Sequence, residues 1–361
     1  MTAPTQPTRQ EKQPASDEVT EVAPGILRLQ LPISLPGLGH VNCYALEDRH
    51  GVAVVDPCLP GPASWRALVG RLRAAGFAVR DVHTVVVTHS HPDHFGGAAR
   101  LRDVAGAEIV GHRAFRNWWD PEDENADDEN AAHEKDAHEK DAAAPATSSP
   151  FSGPTPWGGG RYRSPLRRRL RYRAMRTVMK RWFATPRPTR RVEDADVLHL
   201  AGREWIAVHT PGHTPDHLCL LDPSKGVLLS GDHVLPTITP HISGIGAGPD
   251  PLRGFLDSLD RMHTLGGVQQ VLPAHGHPFT DLNGRVNAIR EHHLDRLHTL
   301  RTVSAELGPA TVAELSQRMF APRSWGQMAE SETYAHLEHL RLAGRADRTE
   351  QAGALRYLIS G

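Results

Sequence analysis

Cysteine is scarce in this chain: Cys43, Cys58 and Cys219 are the three among 361 residues. So few and so scattered, they exclude a disulfide framework or a cysteine-rich zinc site, and they fit a reducing compartment. Long apolar runs are missing too, with no stretch of the roughly 18 to 20 residues that a helical membrane span needs. Net charge is equally small, because 41 basic and 42 acidic residues leave a formal charge of -1. The chain as a whole therefore points to no nucleic acid, lipid surface or acidic partner, and any such case must be local. Residues 1–24 have neither the apolar centre of a secretory signal nor the Arg/Ser pattern of a transit peptide. Rich in Pro, Thr, Gln and charge, they read as a disordered tail. A soluble, cytoplasmic protein is expected.

Histidine, by contrast, is abundant, at 23 residues. It is the commonest metal ligand near neutral pH, so its spacing is the first thing to search. The length allows about two domains of ~150 residues. Short β-rich runs at 25–31, 40–46, 52–55 and 84–88 accompany a segment at 63–75 in which Trp65, Leu68, Val69 and Leu72 share one helix face. Apolar runs at 205–208, 218–221, 227–229 and 271–272 repeat the theme, and strands interleaved with helices predict a layered α/β architecture.

Between 113 and 190 the composition changes and an insertion is expected. Its stretch 120–141 carries eleven carboxylates and the tandem pentapeptide Ala-His-Glu-Lys-Asp, while 161–183 carries ten Lys or Arg. Met175, Val178, Met179 and Trp182 in the basic half have the spacing of one helix face, so part of it is expected to dock. After residue 283 the pattern turns helical at 288–307, 311–320 and 331–343. A strand pair about Gln351-Ala352-Gly353 follows, so 284–361 is predicted to be a small winged-helix domain.

The strand at 84–88 runs straight into His89-Ser90-His91-Pro92-Asp93-His94. His89 and His91, two apart in an extended loop, can turn to one metal, while Asp93 and His94 face a second as a helix begins. Pro92 and Asp93 suit that helix start, by fixed φ and by the helix dipole. Four residues cannot complete two sites, since each ion takes about three or four protein ligands. The candidates downstream are His213, Asp232 and His275, each at the end of a strand-like run and beside a glycine, as expected where backbone crowds an ion. His217, His233, His241 and His277 read as surface or supporting histidines. Asp56 taken alone is a strand-ending turn residue, and Cys58 a packing one.

In the order of these motifs the sequence resembles the metallo-β-lactamase superfamily, and within it hydrolases similar to glyoxalase II and to β-lactamase-like protein 2. The resemblance covers 25–283 outside the insertion and implies a four-layer αβ/βα sandwich with the site where two sheets meet. It further implies that His89, His91 and His213 hold one ion, that Asp93, His94 and His275 hold another, that Asp232 bridges them, and that Asp56 supports the site from behind. The 122-residue separation of His91 and His213 departs from the pattern, so the substrate does not carry over.

Two divalent ions about 3.5 to 4 Å apart can share a hydroxide nucleophile. Asp93 or a metal-bound water could return a proton to the leaving group, and the sequence leaves the choice between them open. The histidine-rich donors favour zinc, with iron or manganese left open by Asp93 and Asp232. The expected substrate is a small ester or acyl thioester. Single-stranded RNA is the alternative, because the cations of 161–183 could neutralise phosphates, although the acidic stretch could mask them. A DNA-binding regulator is disfavoured, since the helix at 331–343 offers Arg341 as its one cation beside Glu332 and Glu338. Its Tyr334, Leu337 and Leu340 form a stripe that should pack inward. A homodimer remains open.

Overall fold

The computed structural model describes residues 9–35, 37–116, 155–159, 170, 174 and 186–360. A seven-stranded sheet in the order β1 to β7 contains β1 (Val19–Ala23), β2 (Ile26–Leu35), β3 (Leu38–Asp48), β4 (Gly51–Val55), β5 (Val82–Val86), β6 (Glu108–His112) and β7 (Arg190–Val192). A five-stranded sheet in the order β12-β11-β10-β9-β8 contains β8 (Val197–Leu200), β9 (Arg203–His209), β10 (Leu218–Asp222), β11 (Val227–Gly231) and β12 (Gln270–Pro273).

Alternate residues of one strand go to different apolar clusters, as the strand period of two requires. Val52 and Val54 of β4 face a cluster with Leu68 and Leu72 of helix α1 (Pro62–Ala74), and Leu101 of another helix, while Ala53 and Val55 face the second sheet. In β10, Leu218 and Leu220 face the first sheet, whereas Cys219 and Leu221 face Phe255 and Leu259 on a third helix. The layers are thus helix, sheet, sheet, helix. Strands buried on both faces read as unbroken apolar runs, which is how they stand in the sequence.

After β5 come α2 (Pro92–Phe95) and α3 (Ala98–Ala105); α4 (Pro251–Thr264) lies between β11 and β12. Beyond β12 the chain forms α5 (Leu282–Leu307), β13 (Ala310–Thr311), α6 (Val312–Met319), α7 (Gln327–Leu342), β14 (Ala346–Gln351) and β15 (Ala354–Ile359). No break in the core marks a border at 284. Phe255, Leu297, Leu315, Leu337 and Tyr357 belong to one cluster. As the stripe predicts, Leu337 and Leu340 are buried and Tyr334 packs beside them.

Residues 9–24 are ordered, which corrects the expectation of a disordered tail through residue 24. A 3-10 turn at Gln10–Lys12 buries Glu11, and β1 pairs antiparallel with β2. The polar composition is misleading because these side chains have built-in partners. Glu11 accepts from the Thr237 hydroxyl at 2.6 Å, and Gln10 accepts from the His277 N–H at 2.9 Å. The backbone here lies against Gly39, where a Cβ would stand 2.2 Å from the Gln13 carbonyl oxygen.

The insertion leaves after β6 and returns at β7, which pairs with β6 in parallel. Its acidic stretch, the helix face of Met175, Val178, Met179 and Trp182, and all of its basic stretch but Leu170 and Ala174 lie outside the described residues. The described piece, 155–159, is not merely appended: Trp157 is buried in the core, donates to Glu330 at 3.0 Å and packs on Tyr334. Among the described residues, no helix is long and apolar enough to cross a membrane.

Candidate metal centre

The loops that follow β4, β5, β9, β11 and β12 meet at one end of the two sheets, the place where strand ends commonly present ligands. The sheets are tied there by the Leu218 N–H, which donates to the Thr88 carbonyl at 2.8 Å. The loop after β5 turns sharply into α2 and lies against the 57–60 turn. Gly96 and Gly97 permit this, because a Cβ on either would fall 2.1 Å from the Pro60 nitrogen or 2.5 Å from the Pro57 carbonyl.

Two groups of donor atoms result. His89, His91, His213 and Asp232 form one, and Asp93, His94 and His275 form the other, each spanning at most 4.8 Å. In the first, His91 Nδ1 is 2.9 Å from His89 Nε2 and 3.1 Å from His213 Nε2. Asp232 lies between the groups. Its Oδ2 is 3.6 Å from both His213 Nε2 and His94 Nε2, and its Oδ1 is 3.5 Å from His275 Nε2. Asp93 Oδ2 is 3.6 Å from His94 Nε2 and 3.5 Å from His275 Nε2. All seven residues proposed from sequence as ligands are therefore brought together.

The far nitrogens of four histidines are engaged by protein acceptors, which aims Nε2 inward. His213 Nδ1 donates to the His241 carbonyl and His275 Nδ1 to the His40 carbonyl, both at 2.8 Å. His94 Nδ1 donates to Asp56 Oδ2 at 2.9 Å. The Thr88 hydroxyl donates to that same oxygen at 2.8 Å, so it accepts from His89 Nδ1 at 3.0 Å. Asp56 thus lies against Thr88 and His94, on the side away from the donor groups, with φ of 56°.

Burial disfavours the charged forms of His89, His91 and His213, and neighbouring histidines add to this for His89 and His91. His89 and His213 lie below the ordinary range and His91 is pushed down to about 3. Their lone pairs are free for a cation. In the second group burial opposes charge as well, but Asp232 and Asp93 outweigh it and raise His94 and His275. Burial would likewise raise Asp93, yet His94 and His275 bring it down to about 2, and His275 and His94 hold Asp232 well below the carboxylate range. This spot favours positive charge. Buried His94 Nε2, His275 Nε2 and Asp232 Oδ1 have no hydrogen-bond partner within the protein, so the donor set fits a divalent metal site.

The supporting residues were mostly hidden from sequence reasoning. Asn42 donates from Nδ2 to the carbonyls of Pro273 and Gly276 at 2.8 and 2.9 Å, and the Tyr44 hydroxyl donates to that of Pro273 at 2.8 Å. They lie more than 225 positions from the loop they hold. His217 is a buttress: its Nε2 accepts from the Asp232 N–H at 3.0 Å, with Nδ1 beside the Thr210 hydroxyl. Cys58 packs in the core, and burial raises its thiol well above the usual range.

A third donor group, His293, Glu332 and His336, lies between α5 and α7. His336 Nδ1 donates to the Glu332 carbonyl at 2.7 Å, so its Nε2 accepts from His293 Nδ1 at 3.1 Å. Both carboxylate oxygens of Glu332 already face donors, Arg296 and, at 3.2 Å, His241 Nδ1. A guanidinium at that position repels a dication, so this is a hydrogen-bonded network.

Burial holds His336 down to about 4 and His293 to about 2, from ordinary values near 6.5. The unfolded chain takes up these protons below pH 6.5 while the folded chain resists, so stability falls as pH drops. Glu332, held at about 2 by His241 and Arg296 against its burial, acts in the same direction below pH 4.5. Metal-stripped protein is expected to lose on the order of 3 kcal/mol per histidine between pH 7 and 4. Denaturant titrations across that range test this, and His293→Gln should flatten the slope.

The sequence profile described as the metallo-beta-lactamase superfamily matches residues 36–275. The probable metallo-hydrolase YqjP of Bacillus subtilis is 25% identical over 336 residues, which cover 87% of this chain and 92% of that protein. The atrochrysone carboxyl ACP thioesterase of Aspergillus chevalieri is 30% identical over 181 residues, 46% of this chain and 55% of that protein. With the lactamase-like protein nscB of Aspergillus fumigatus the identity is 33%, and the match spans 32% of that protein. Among solved structures, the metallo-beta-lactamase family protein TTHA1429 of Thermus thermophilus superposes with a TM-score of 0.72 at 28% identity, covering 94% of this chain and 100% of that one. A beta-lactamase domain protein of Burkholderia ambifaria gives the same score and identity over 96% and 95%.

Proposed function

Because the chain belongs to the metallo-beta-lactamase superfamily and is a metallo-hydrolase, we propose that it hydrolyses an acyl thioester or ester with two divalent ions, in the manner of glyoxalase II-like enzymes. The observation that carries this reading is the convergence of two donor groups on Asp232. His89, His91 and His213 would hold one ion, Asp93, His94 and His275 the other, with Asp232 shared. The imidazole-rich set favours zinc. Bound there, the ions would lower the pKa of a captured water and polarise the scissile carbonyl.

The chain's own residues supply the rest. Among the described residues no thiol is placed to attack, since burial raises Cys43, Cys58 and Cys219 and keeps them protonated. Water is then the nucleophile. Asp93, ionised at rest, takes up a proton from it and returns one to the leaving group. The thioester class draws support from the name of the Aspergillus chevalieri relative, over about half of that protein.

We read α5 to α7 with the β14–β15 hairpin as a winged-helix arrangement that serves as a wall of the hydrolase. A DNA-reading role is not favoured: Arg341 of α7 is paired with Glu338, and Glu332 and Glu338 are buried. The ribonuclease alternative rested on the basic segment outside the described residues. A panel of acyl thioesters, lactones and single-stranded RNA, followed by thiol, acid or fragment release, tests the proposal. Thioester turnover is expected, and cleavage of RNA without any thioester or ester turnover would overturn it.

A further inference from the structure

The carbonyl that orients His213 belongs to residue 241, in the stretch 232–249 between β11 and α4, which has no helix or strand. No backbone ladder holds that stretch in place. Arg285 of α5 and Glu11 hold residues 235–238, whereas residues 241–244 are anchored from α7, far along the chain. Glu332 accepts from His241 Nδ1 at 3.2 Å across 91 positions. The Ser331 hydroxyl accepts from the Gly244 N–H at 3.0 Å. A Cβ on Gly244 would lie 2.6 Å from Tyr334 Cδ1 and 2.7 Å from the Ser331 carbonyl oxygen, so the loop backbone rests directly on the helix.

We propose that Glu332 is a positioning residue for the metal centre, gripping His241 so that its main-chain carbonyl fixes the ring of His213. The inference rests on reading His213 as a ligand. The Nδ1 donation to that carbonyl puts the lone pair on Nε2, which lies 3.1 Å from His91 Nδ1 and 3.6 Å from Asp232 Oδ2. Displacing the carbonyl would release the ring to rotate, or to carry its proton on the ligating nitrogen. Burying a carboxylate here is costly unless it is paired, and an apolar side chain would fill the space at lower cost. The two groups Glu332 serves are Arg296, which neutralises it, and His241, which carries the orienting carbonyl.

Zinc affinity at each site of the full-length protein, measured by competition with a chromophoric chelator alongside thermal midpoints, kcat and KM, tests the proposal. His241→Ala keeps the carbonyl and the Arg296–Glu332 pair, so it should fold. It is expected to weaken the first ion about 10- to 100-fold and leave the second unchanged, as loss of an outer hydrogen-bond partner does. His241→Asn, whose amide N–H can replace Nδ1–H, should restore affinity. Glu332→Gln should act in the same direction as His241→Ala. If both weakening variants bind the first ion as tightly as the parent while only the thermal midpoint moves, Glu332 is merely structural and the proposal fails. His213→Ala separates the two readings: unchanged first-ion affinity there would overturn the ligand assignment, and this inference with it.

Discussion

Asp232→Ala is expected to lower hydrolysis by about two to four orders of magnitude and to reduce bound metal below two ions per chain. On the proposed reading the seven donors include two carboxylates, Asp93 and Asp232, against as many as four positive charges from two ions. The site is buried, with Asp232 at 7% exposure, so water compensates little of that charge. Removing one partner from a buried, paired set of charges costs roughly 3–5 kcal/mol. A loss of that size in transition-state stabilisation is about 10²- to 10⁴-fold in rate. Asp232 is also the one residue whose two oxygens reach both groups, so its loss should be felt at both. Metal analysis with steady-state kinetics is the check. Full stripping of the parent protein should abolish turnover, with recovery on adding zinc, and should lower the thermal midpoint, because a ligand at 100 times its Kd stabilises the fold by about 2.7 kcal/mol. Stripped protein that kept its activity would end the metallo-hydrolase mechanism.

What made the centre legible is that four of its donors are crowded between His89 and His94, while the others stand beside glycines at strand ends. Strand ends are what the two-sheet fold gathers, so the linear motifs already contained the geometry. Residues such as Asn42, Tyr44, His241 and Glu332 gave no such sign. Each acts through long-range hydrogen bonds, and nothing in its own neighbourhood of the sequence reports the partners. The histidine excess was only partly a metal signal. His217 and His336 are as buried as the proposed ligands, but hydrogen bonds from the Asp232 N–H, to the Glu332 carbonyl and from His293 occupy nitrogens that a ligand would need, and His293 stands near the Arg296–Glu332 pair. The β1 and β7 edge strands escaped because charged and polar side chains are tolerated, and useful, at a sheet edge. The Arg190 and Arg191 side chains of β7 are exposed in that way.

Asp56→Ala is expected to be the most damaging change outside the ligands themselves, costing on the order of 4 kcal/mol in stability and weakening both ions. The carboxylate accepts from the Thr88 N–H at 2.9 Å, the Thr88 hydroxyl at 2.8 Å and His94 Nδ1 at 2.9 Å, all buried. Each orphaned donor costs roughly 1–3 kcal/mol. An alanine at φ of 56° adds strain that Asp or Asn tolerates better. Asp56→Asn separates fold from function. It keeps the backbone conformation and one accepting oxygen, so its stability loss should be about half as large. Yet an amide N–H accepts from nothing, and one oxygen, Oδ2, takes both the Thr88 hydroxyl and His94 Nδ1, while Oδ1 takes the Thr88 backbone N–H. That backbone N–H cannot adapt, so the amide oxygen should face it and the amide nitrogen should stand in the place of Oδ2. His94 then moves its proton to Nε2 and points an N–H where a lone pair is needed, or the Thr88 hydroxyl can no longer both donate to residue 56 and accept from His89 Nδ1. Zinc affinity should therefore fall about 10- to 100-fold at one site. Calorimetric unfolding with chelator competition distinguishes the outcomes: an Asn variant that binds both ions as tightly as the parent would show that these hydrogen bonds do not set the ligand tautomers.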